Sequence, residues 1–535
     1  MKKEIKISNK IEILLKVLLT ISSGFLTFMI SLRYDHNYTM AGVICSWVIM
    51  GSIMYYKVSI KKINVKTFLI SIIPSMLALQ IMACKTFLES IRFFYPNYYG
   101  RVTSLDVDFL RLMGVPISIF LTYIFIDKVI PIVIKFIKSL DKVEKTFVIA
   151  STIAAIIGAY ILIDKTTAFA YPMINGTRFI PYDVIYTLDS TMDAFNNISS
   201  FANDIRNPLF GIIALPFSVI ALFISDILPF GRTGFTFVTA LTAVQVVTVA
   251  FTIILLTRLL KIEGKNKIYF YALCLSTLPF LLFSLFIEQY VVSVFFLILF
   301  IYVYVETKTE TNYLYVASTG SILTSGVLFP LISKAKSIKQ WFVNVFDCFM
   351  VFVTVTIVGG QLPQVFKAVD TLKKLLGSFS GHITPDEKLF RFTYFLKDMF
   401  FATPGRVVEL KDFPSYQSII PTHINIIGIA LLLICLVSVY LNRKNKFALI
   451  AGAWVVFSVV LLYFVGWGAP ENGYILYSYY FSWAYLSLYY LYFKKVFENK
   501  PKLFKGTIIT TIIIMLIVNL PVFYQILSFA VTYYK

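Results

Sequence analysis

The chain has 535 residues, of which 58% are hydrophobic and only 14% are charged, and its mean hydropathy is +0.80. Such a chain has too little polar surface to enclose a water-soluble globule of its size, so the composition excludes a soluble enzyme or a soluble binding domain. A formal net charge of +20 would suit nucleic acid, but the lysines occur in short clusters between apolar runs, as membrane topology requires, and we expect no nucleic-acid partner.

The apolar runs are about 17 to 25 residues long, a length that suits helices, because backbone polar groups in lipid must be satisfied internally. We therefore predict an all-α fold, a polytopic transmembrane bundle with about 13 spans. The basic N-terminus enters the first run without an A-x-A cleavage pattern before Arg33, which predicts a retained signal anchor. In chain order the predicted spans are 14–32, 39–56, 67–84, 113–137, 147–164, 234–257, 268–286, 290–305, 341–360, 421–442, 447–466, 474–493 and 506–527.

Two further apolar stretches do not fit the pattern of a simple span. Residues 207–226 are interrupted by Pro216 and end at Asp226, so we predict a helix that lies flat along the membrane interface. Residues 312–332 contain Thr319-Gly320 and Ser325-Gly326 in mid-run, which predicts a broken, re-entrant pair of helices.

The lysine clusters orient the chain. If the N-terminus is cytoplasmic and the chain changes side at every predicted span, all of the basic clusters fall inside. A complete crossing by residues 207–226 would move the cluster that begins at Arg258 to the outside, which is the main reason to place that helix flat. The inside clusters are Lys57 to Lys66, Lys135 to Lys145, Arg258 to Lys267, Arg443 to Lys446 and Lys494 to Lys505.

The opposite, outer side receives five segments, two of which are too long to be simple connectors. Their content of Pro, Tyr and Phe favours function over disorder, and amphipathic stretches such as Gln364 to Leu376 predict an ordered outer cap. The predicted outer segments are 85–112, 165–206, the turn at Glu288, 361–420 and 467–473. The predicted domains are a four-span extension (1–145), a transmembrane core (146–360), an outer-face loop (361–420) and C-terminal transmembrane helices (421–535).

The outer loop between residues 165 and 206 carries the first candidate site. Asp183 and Asp189 are acids at the membrane surface, where a partly desolvated carboxylate could act as a general base. Arg178 and Arg206 could hold a phosphate bidentately. The alternative is a solvated loop whose acids cap turns and helices, with Asp204 at the start of the flat helix.

Two outer turns carry further candidates. Glu288 interrupts an almost continuous apolar run, so it marks either a polar cavity or a wetted hairpin tip. Glu471 lies in a Gly- and Pro-rich turn that leads into an aromatic span containing Tyr477. The aromatic residues suit an interfacial belt, although aromatic rings beside carboxylates also bind sugars.

The cysteines and histidines carry no recognisable motif. The five cysteines form no C-x-x-C pair and are predicted to be small packing residues. His382 and His423 have no metal-ligand spacing, and we interpret both as incidental. No P-loop or dinucleotide fingerprint is found, so ATP-driven chemistry within the chain is not expected.

The order of these features resembles the C-type integral membrane glycosyltransferases, above all glycosyltransferase family 39 and its protein-mannosyltransferase-like branch. The resemblance covers roughly residues 147–305, from an apolar span through an acidic outer loop and the Arg206-Asn207-Pro208-Leu209-Phe210 element to the hairpin with Glu288. It implies a GT-C-like fold and inverting transfer of a sugar from a polyprenyl-phosphate donor on the non-cytoplasmic side.

The same resemblance implies roles for particular residues. Asp189 or, less well, Asp183 matches the catalytic base of the family, and Glu288 matches its second acid. Arg206, Arg178 or Lys165 would stabilise the leaving phosphate. The family's adjacent pair of acids is absent here. No metal need be invoked, although outer carboxylates could alternatively bind a divalent ion.

The leading hypothesis is therefore a sugar transferase at the outer face of a bacterial plasma membrane. Its partners would be membrane lipids, a lipid-linked sugar and a glycan or other envelope acceptor. The alternatives are a transporter or flippase of lipid-linked glycans, for which no convincing internal repeat is found, and a polymerase or ligase that joins such glycans.

Overall fold

The computed structural model describes residues 4–31, 62–82, 122–165, 236–285, 289–307, 311–332, 337–358, 383–410, 413–418, 421–468 and 474–533, together with single positions and short stretches between these ranges. The chain divides into two compact units. Unit 1 comprises Met1–Asp141, Asp193–Leu215 and Ala335–Ala368, and unit 2 comprises Lys142–Met192, Pro216–Lys334 and Val369–Lys535.

Among its described residues, unit 1 contains helices and one pair of short antiparallel strands that are distant from each other in the chain. Strand β1 (Glu4–Lys6) pairs with β2 (Lys62–Asn64) so that Glu4 lies opposite Asn64. Helix α1 (Asn9–Ser31) packs against α10 (Ile338–Val358), and the backbone N–H of Asn64 donates to the hydroxyl of Tyr123, 3.2 Å away. The elements are β1 (Glu4–Lys6), α1 (Asn9–Ser31), β2 (Lys62–Asn64), α2 (Val65–Met82), a π-helical turn (Phe125–Val129), α3 (Ile130–Lys138) and, later in the chain, α10 (Ile338–Val358).

Unit 2 is a helical bundle with two short hairpins. Its first elements are α4 (Lys142–Lys165), β3 (Met173–Ile174), β4 (Thr177–Arg178), α5 (Thr236–Leu259), α6 (Asn266–Leu275), α7 (Leu278–Leu285), α8 (Gln289–Glu306), α9 (Asn312–Ser321) and a 3₁₀ helix (Leu323–Leu331). After α10 it continues with α11 (Pro385–Asp398), β5 (Gly405–Leu410), β6 (Phe413–Ser418), α12 (Ile426–Leu441), α13 (Lys446–Ser458), a π-helical stretch (Val459–Val465), α14 (Tyr474–Val496) and α15 (Pro501–Tyr533).

Four helices among the described residues are long and apolar enough to cross a membrane. A fifth candidate arises if α6 and α7, which are bent by 76° at their break, form one span. The four are Thr239–Leu259, Gln289–Glu306, Lys446–Val465 and Pro501–Thr532. These helices indicate a helical membrane protein, whereas the predicted total of about 13 spans stays a prediction.

Most predicted spans coincide with helices. The structure adds three short pairs of antiparallel strands that were not predicted, and it breaks the predicted span 268–286 at Ser276 and Thr277. Pro279 accounts for that break, since a proline ring clashes with the carbonyl four residues earlier in a continuous helix. The break predicted within 312–332 is observed at Ile322, whose backbone is extended. The predicted flat helix 207–226 is described only at scattered positions, and its placement is not tested.

The basic clusters of unit 2 meet at one end of the bundle. Glu144, in the first turn of α4, is 1% exposed and accepts hydrogen bonds from Arg258 at the end of α5 (2.7 Å) and from Lys267 at the start of α6 (2.8 Å). Lys494, near the end of α14, donates to the carbonyl of Leu260 over 3.3 Å. Helices α4 and α5 are therefore antiparallel, and we call this end of unit 2 the lysine-rich end.

The core of unit 2 surrounds α14, and its aromatic side chains are buried rather than arranged in an interfacial belt as predicted. Tyr479, Tyr480 and Trp483 are at most 1% exposed and pack against rings of neighbouring helices such as Phe280 and Trp454. Burial of large aromatic groups contributes strongly to packing between helices, because each ring removes a large area from its surroundings.

Candidate functional site

Helix α11 is the most polar long helix of unit 2 and packs against the apolar α14. Thr384 caps its start by accepting a hydrogen bond from the backbone N–H of Glu387 at 3.3 Å, and Pro385 occupies the first helical position, where no N–H is needed. One face of the helix is apolar and buried, comprising Phe392, Phe395, Leu396 and, just beyond its end, Met399. The cap starts the helix and this face attaches it to the bundle.

Helix α11 extends along α14 from the end opposite the lysines toward the middle of the bundle. Lys388, in its first turns, lies beside Gly466, which directly precedes the turn into α14. The rings of Phe395 and Phe481 are 6.2 Å apart, and those of Phe400 and Tyr489 are 5.0 Å apart. Tyr489 lies about 22 Å along α14 from its first residue, so the end of α11 reaches well into the depth of the bundle.

A close approach of α12 holds the middle of α11 in place. A Cβ atom on Gly428 would lie 1.9 Å from the carbonyl oxygen of Thr393, so only glycine permits this contact. The hydroxyl of Thr393 accepts a hydrogen bond from the backbone N–H of Asn425 at 3.0 Å, and Asn425 in turn caps α12. Backbone contact of this kind brings helices closer than side-chain packing alone allows.

Three polar side chains form a closed cluster at the end of α11. The ammonium of Lys397 donates to the Thr403 hydroxyl oxygen at 2.6 Å, and that hydroxyl donates to Oδ1 of Asp398 at 2.6 Å. The Lys397 nitrogen is also 3.3 Å from the same Oδ1. The structure therefore places an acid, a cation and a hydroxyl within hydrogen-bonding distance of one another, and we call these three residues the α11 cluster.

The surroundings of Asp398 change its acidity. Burial raises the pKa of its carboxyl above the ordinary value, although Lys397 and the hydrogen bonds from Thr403 act in the opposite direction. Burial disfavours the charged form of any carboxyl that loses contact with water. A carboxyl with a raised pKa beside an ammonium has the two properties that general-base catalysis next to a leaving anion needs, namely readiness to accept a proton and a fixed positive charge.

Two further groups border the α11 cluster. The hydroxyl of Tyr394 lies 2.9 Å from Nε2 of His423, and the ammonium of Lys397 lies 5.5 Å from the centre of the Tyr394 ring. These contacts extend the polar side of α11 toward exposed His423. His423 is thus part of a hydrogen-bonded group at an exposed position.

Asn519, at 0% exposure within α15, connects the turn after α11 to the break between α6 and α7. Its Nδ2 donates to the carbonyls of Ser276 and Phe400, each at 2.7 Å. Its Oδ1 accepts from the backbone N–H of Ala402 at 2.7 Å. A buried amide that satisfies three backbone groups at once fixes the position of the turn that carries Thr403.

The predicted substrate residue Tyr477 lies near the start of α11. Its side chain is 5% exposed, its hydroxyl accepts a hydrogen bond from Nε1 of Trp467 at 3.0 Å, and its ring contacts that of Tyr290 at 6.1 Å. Tyr290 follows the predicted turn at Glu288 by two residues, so the structure brings the starts of α8 and α14 together. Asp398 lies ten residues beyond Lys388 along α11, about 15 Å deeper.

The other predicted residues are only partly covered by the structure. Lys165 is the exposed last residue of α4, and Arg178 belongs to strand β4, of which the backbone alone is described. The remaining six lie outside the described residues, and their roles stay predictions: Asp183, Asp189, Asp204, Arg206, Glu288 and Glu471.

Sequence reasoning missed the α11 cluster, although a signal for its helix was present. Thr384-Pro385-Asp386-Glu387 has the threonine and the glutamate three residues apart that mark a helix start, followed by apolar residues at helical spacing. The helix pattern does not predict the contact with Thr403. This residue joins the cluster only because the chain turns back after α11.

Within the part of the chain that the structure describes, no group of three or more His, Cys, Asp or Glu side chains could hold a metal ion. The possible divalent metal therefore stays a prediction for the outer loop. Comparison with known proteins gives no match to a family model, to a curated protein or to a solved structure.

Proposed function

We propose that the chain is a membrane glycosyltransferase that moves a sugar from a polyprenyl-phosphate donor to an acceptor hydroxyl on the outer face of a bacterial plasma membrane. The observation that carries the proposal is the α11 cluster, in which Lys397, Thr403 and Asp398 meet inside a bundle of apolar helices. The donor phosphate binds beside this cluster, where Lys397 and an acid with 31% of its side chain exposed are within reach of a ligand.

The proposed chemistry assigns each group one task. The Asp398 carboxylate takes the proton of the acceptor hydroxyl while the acceptor oxygen forms a bond to the anomeric carbon of the sugar. The bond between that carbon and the phosphate oxygen breaks, and polyprenyl phosphate leaves with the electron pair. Lys397 stabilises the negative charge on the leaving phosphate. Asp189 and Glu288, implied by the family resemblance, are the competing candidates for the base.

Transfer by membranes that contain single variants tests this proposal. Undecaprenyl-phosphate-linked radiolabelled hexoses serve as donors, envelope extract supplies the acceptor, and transfer is measured as label in the acceptor fraction. We expect Asp398→Asn to lose at least about a hundredfold in rate, as removal of a general base does. Asp386→Asn, an exposed acid in the first turn of the same helix, is the matched control and should retain full transfer.

The same assay separates the candidate bases. If only Asp189→Asn or Glu288→Gln lost transfer activity, that acid would be the base instead of Asp398. The chain would still be a transferase. Full transfer by all three variants, each expressed at the level of the original chain, would overturn the proposed function.

The bend between α6 and α7 favours a second candidate, a transporter or flippase of lipid-linked glycans. Broken helices line the substrate sites of many secondary transporters, and the break at Ser276 is held by buried Asn519. Movement of a fluorescent lipid-linked glycan across proteoliposomes without a covalent product would support this candidate. A covalent product supports the transferase, and a product of many sugar units would identify a polymerase.

A further inference from the structure

An open cavity of about 550 Å³ lies at the lysine-rich end of unit 2. Its walls come from the turn after α5, the turn between α12 and α13, the last turns of α14 and the start of α15. These are the ends of apolar helices, the level at which lipid headgroups lie in a membrane. The α11 cluster contributes none of the residues that line this cavity.

The lining of the cavity is both charged and apolar. Lys261 and Lys494 line it together with the amide side chains of Asn442 and Asn445, while Leu260, Leu491 and Phe504 contribute apolar surface. A ligand that fits both kinds of wall carries an anionic group and hydrocarbon.

Positive charge exceeds negative charge around this cavity. Glu498 is engaged by Lys495 at 2.7 Å, so that pair is neutral as a whole. Glu263 acts on Lys494 together with Lys261, which leaves one acid between two ammonium groups. The three basic turns of unit 2 add the surrounding cations Lys265, Arg443, Lys444, Lys446, Lys500, Lys502 and Lys505.

Lys261 occupies a backbone position that glycine would fill more easily. Its φ of +52° is in the left-handed region, where a side chain costs about 1 kcal/mol or more relative to glycine. Lys494 uses one N–H to bond the carbonyl of Leu260 at 3.3 Å, and an ammonium has three such donors. Lys494 is thus held at the cavity by the backbone of the turn after α5, and Lys261 is part of that turn.

We infer that this cavity binds the phosphate headgroup of an anionic phospholipid, with Lys261 and Lys494 contacting the phosphate and the apolar wall contacting an acyl chain. Basic pockets between helix ends on the cytoplasmic side of membrane proteins recognise such headgroups, and the apolar wall favours a lipid over free phosphate.

Retention of phosphatidylglycerol by the purified full chain tests this inference. The chain is reconstituted in phosphatidylcholine vesicles with or without phosphatidylglycerol, extracted in mild detergent and examined for bound lipid by native mass spectrometry. We expect Lys261→Gly and Lys494→Gln each to lower retention about fivefold, the effect of one basic residue near an anionic surface. Lys444→Gln and Lys502→Gln, exposed residues of the same turns that do not line the cavity, are the controls.

The choice of glycine at position 261 keeps the test independent of folding. Glycine relieves the left-handed strain, so this variant should unfold at the same temperature as the original chain or at a higher one. Equal retention by all four variants would overturn the inference. Displacement of phosphatidylglycerol by inorganic phosphate at millimolar concentration would also overturn it, by showing that the site takes a soluble anion, whereas retention in phosphate supports the lipid.

Discussion

At the scale of single residues, Asp398 is the partly buried acid of the α11 cluster, with 31% of its side chain exposed. Its carboxyl lies at the end of a helix, where the partial negative charge of the helix terminus also disfavours an anion. Lys397 and Thr403 compensate this charge only in part, because burial still raises the pKa of the Asp398 carboxyl. The folded protein therefore binds a proton at Asp398 more readily than the unfolded chain does.

This raised pKa predicts a pH-dependent stability. The contribution of Asp398 is most favourable below its ordinary pKa of 3.8, and it is lost as the pH rises through the raised value, because the folded state holds the proton that the unfolded state has released. In Asp398→Asn the side chain at position 398 is neutral at every pH. The melting temperature of this variant, relative to that of the original chain, should therefore increase as the pH rises through this window.

Thermal unfolding in detergent over a series of pH values measures the effect. Asp386→Asn, which removes an exposed acid from the same helix, should follow the original chain at every pH. Parallel curves for Asp398→Asn and the original chain would contradict the raised pKa.

At the scale of elements, helix α11 packs among apolar helices. The polar composition of α11 would not by itself favour that position. Its apolar face supplies contact with α14, Gly428 lets α12 approach its backbone, and Asn519 holds the turn that follows. Each of these partners is distant in the chain. At the end of α11 the polar side chains Lys397, Asp398 and Thr403 bond one another.

The role of Asn519 predicts a large loss of stability on substitution. Asn519→Leu leaves the N–H of Ala402 and the carbonyls of Ser276 and Phe400 without their amide partner, and we expect a loss of about 2–4 kcal/mol. Thr510→Leu, on the exposed side of the same helix, should change stability by less than about 0.5 kcal/mol. Thermal unfolding compares the two variants, and equal melting temperatures would show that Asn519 does not hold this turn.

At the scale of the whole molecule, unit 2 separates its charges between two ends. Lysines and arginines gather where α5, α12 and α14 end, whereas the start of α11 and the turn at Gly466 lie at the other end. Under the positive-inside rule we expect the lysine-rich end to face the cytoplasm.

That orientation predicts opposite accessibility of two exposed positions. In a chain whose Cys45 and Cys84 are replaced by serine, Lys444→Cys and Asp386→Cys are labelled in intact cells with a membrane-impermeant maleimide. Position 386 should react in intact cells, and position 444 should react only after permeabilisation. Cys274, Cys348 and Cys435 are buried, so labelling of the chain without an added cysteine measures the background. Reaction of both positions from the same side would contradict the topology.

Local sequence determined the helices and the sorting of lysines, because apolar length and clustered charge act within one segment and need no distant partner. The break near Ile322 was likewise predicted from glycines inside an apolar run. The predicted outer acids such as Asp189 and Glu288 are not tested, since they lie outside the described residues.

Only the tertiary structure decided that Lys397, Asp398 and Thr403 form a cluster and that Asn519 fixes its position. Those contacts join segments up to 243 residues apart, as between Ser276 and Asn519, and depend on how helices pack. Apolar periodicity shows which face of a helix is buried but not which helix covers it. For the same reason the sequence by itself determined a helical membrane protein with an oriented charge pattern, and packing selected the polar groups that meet inside it.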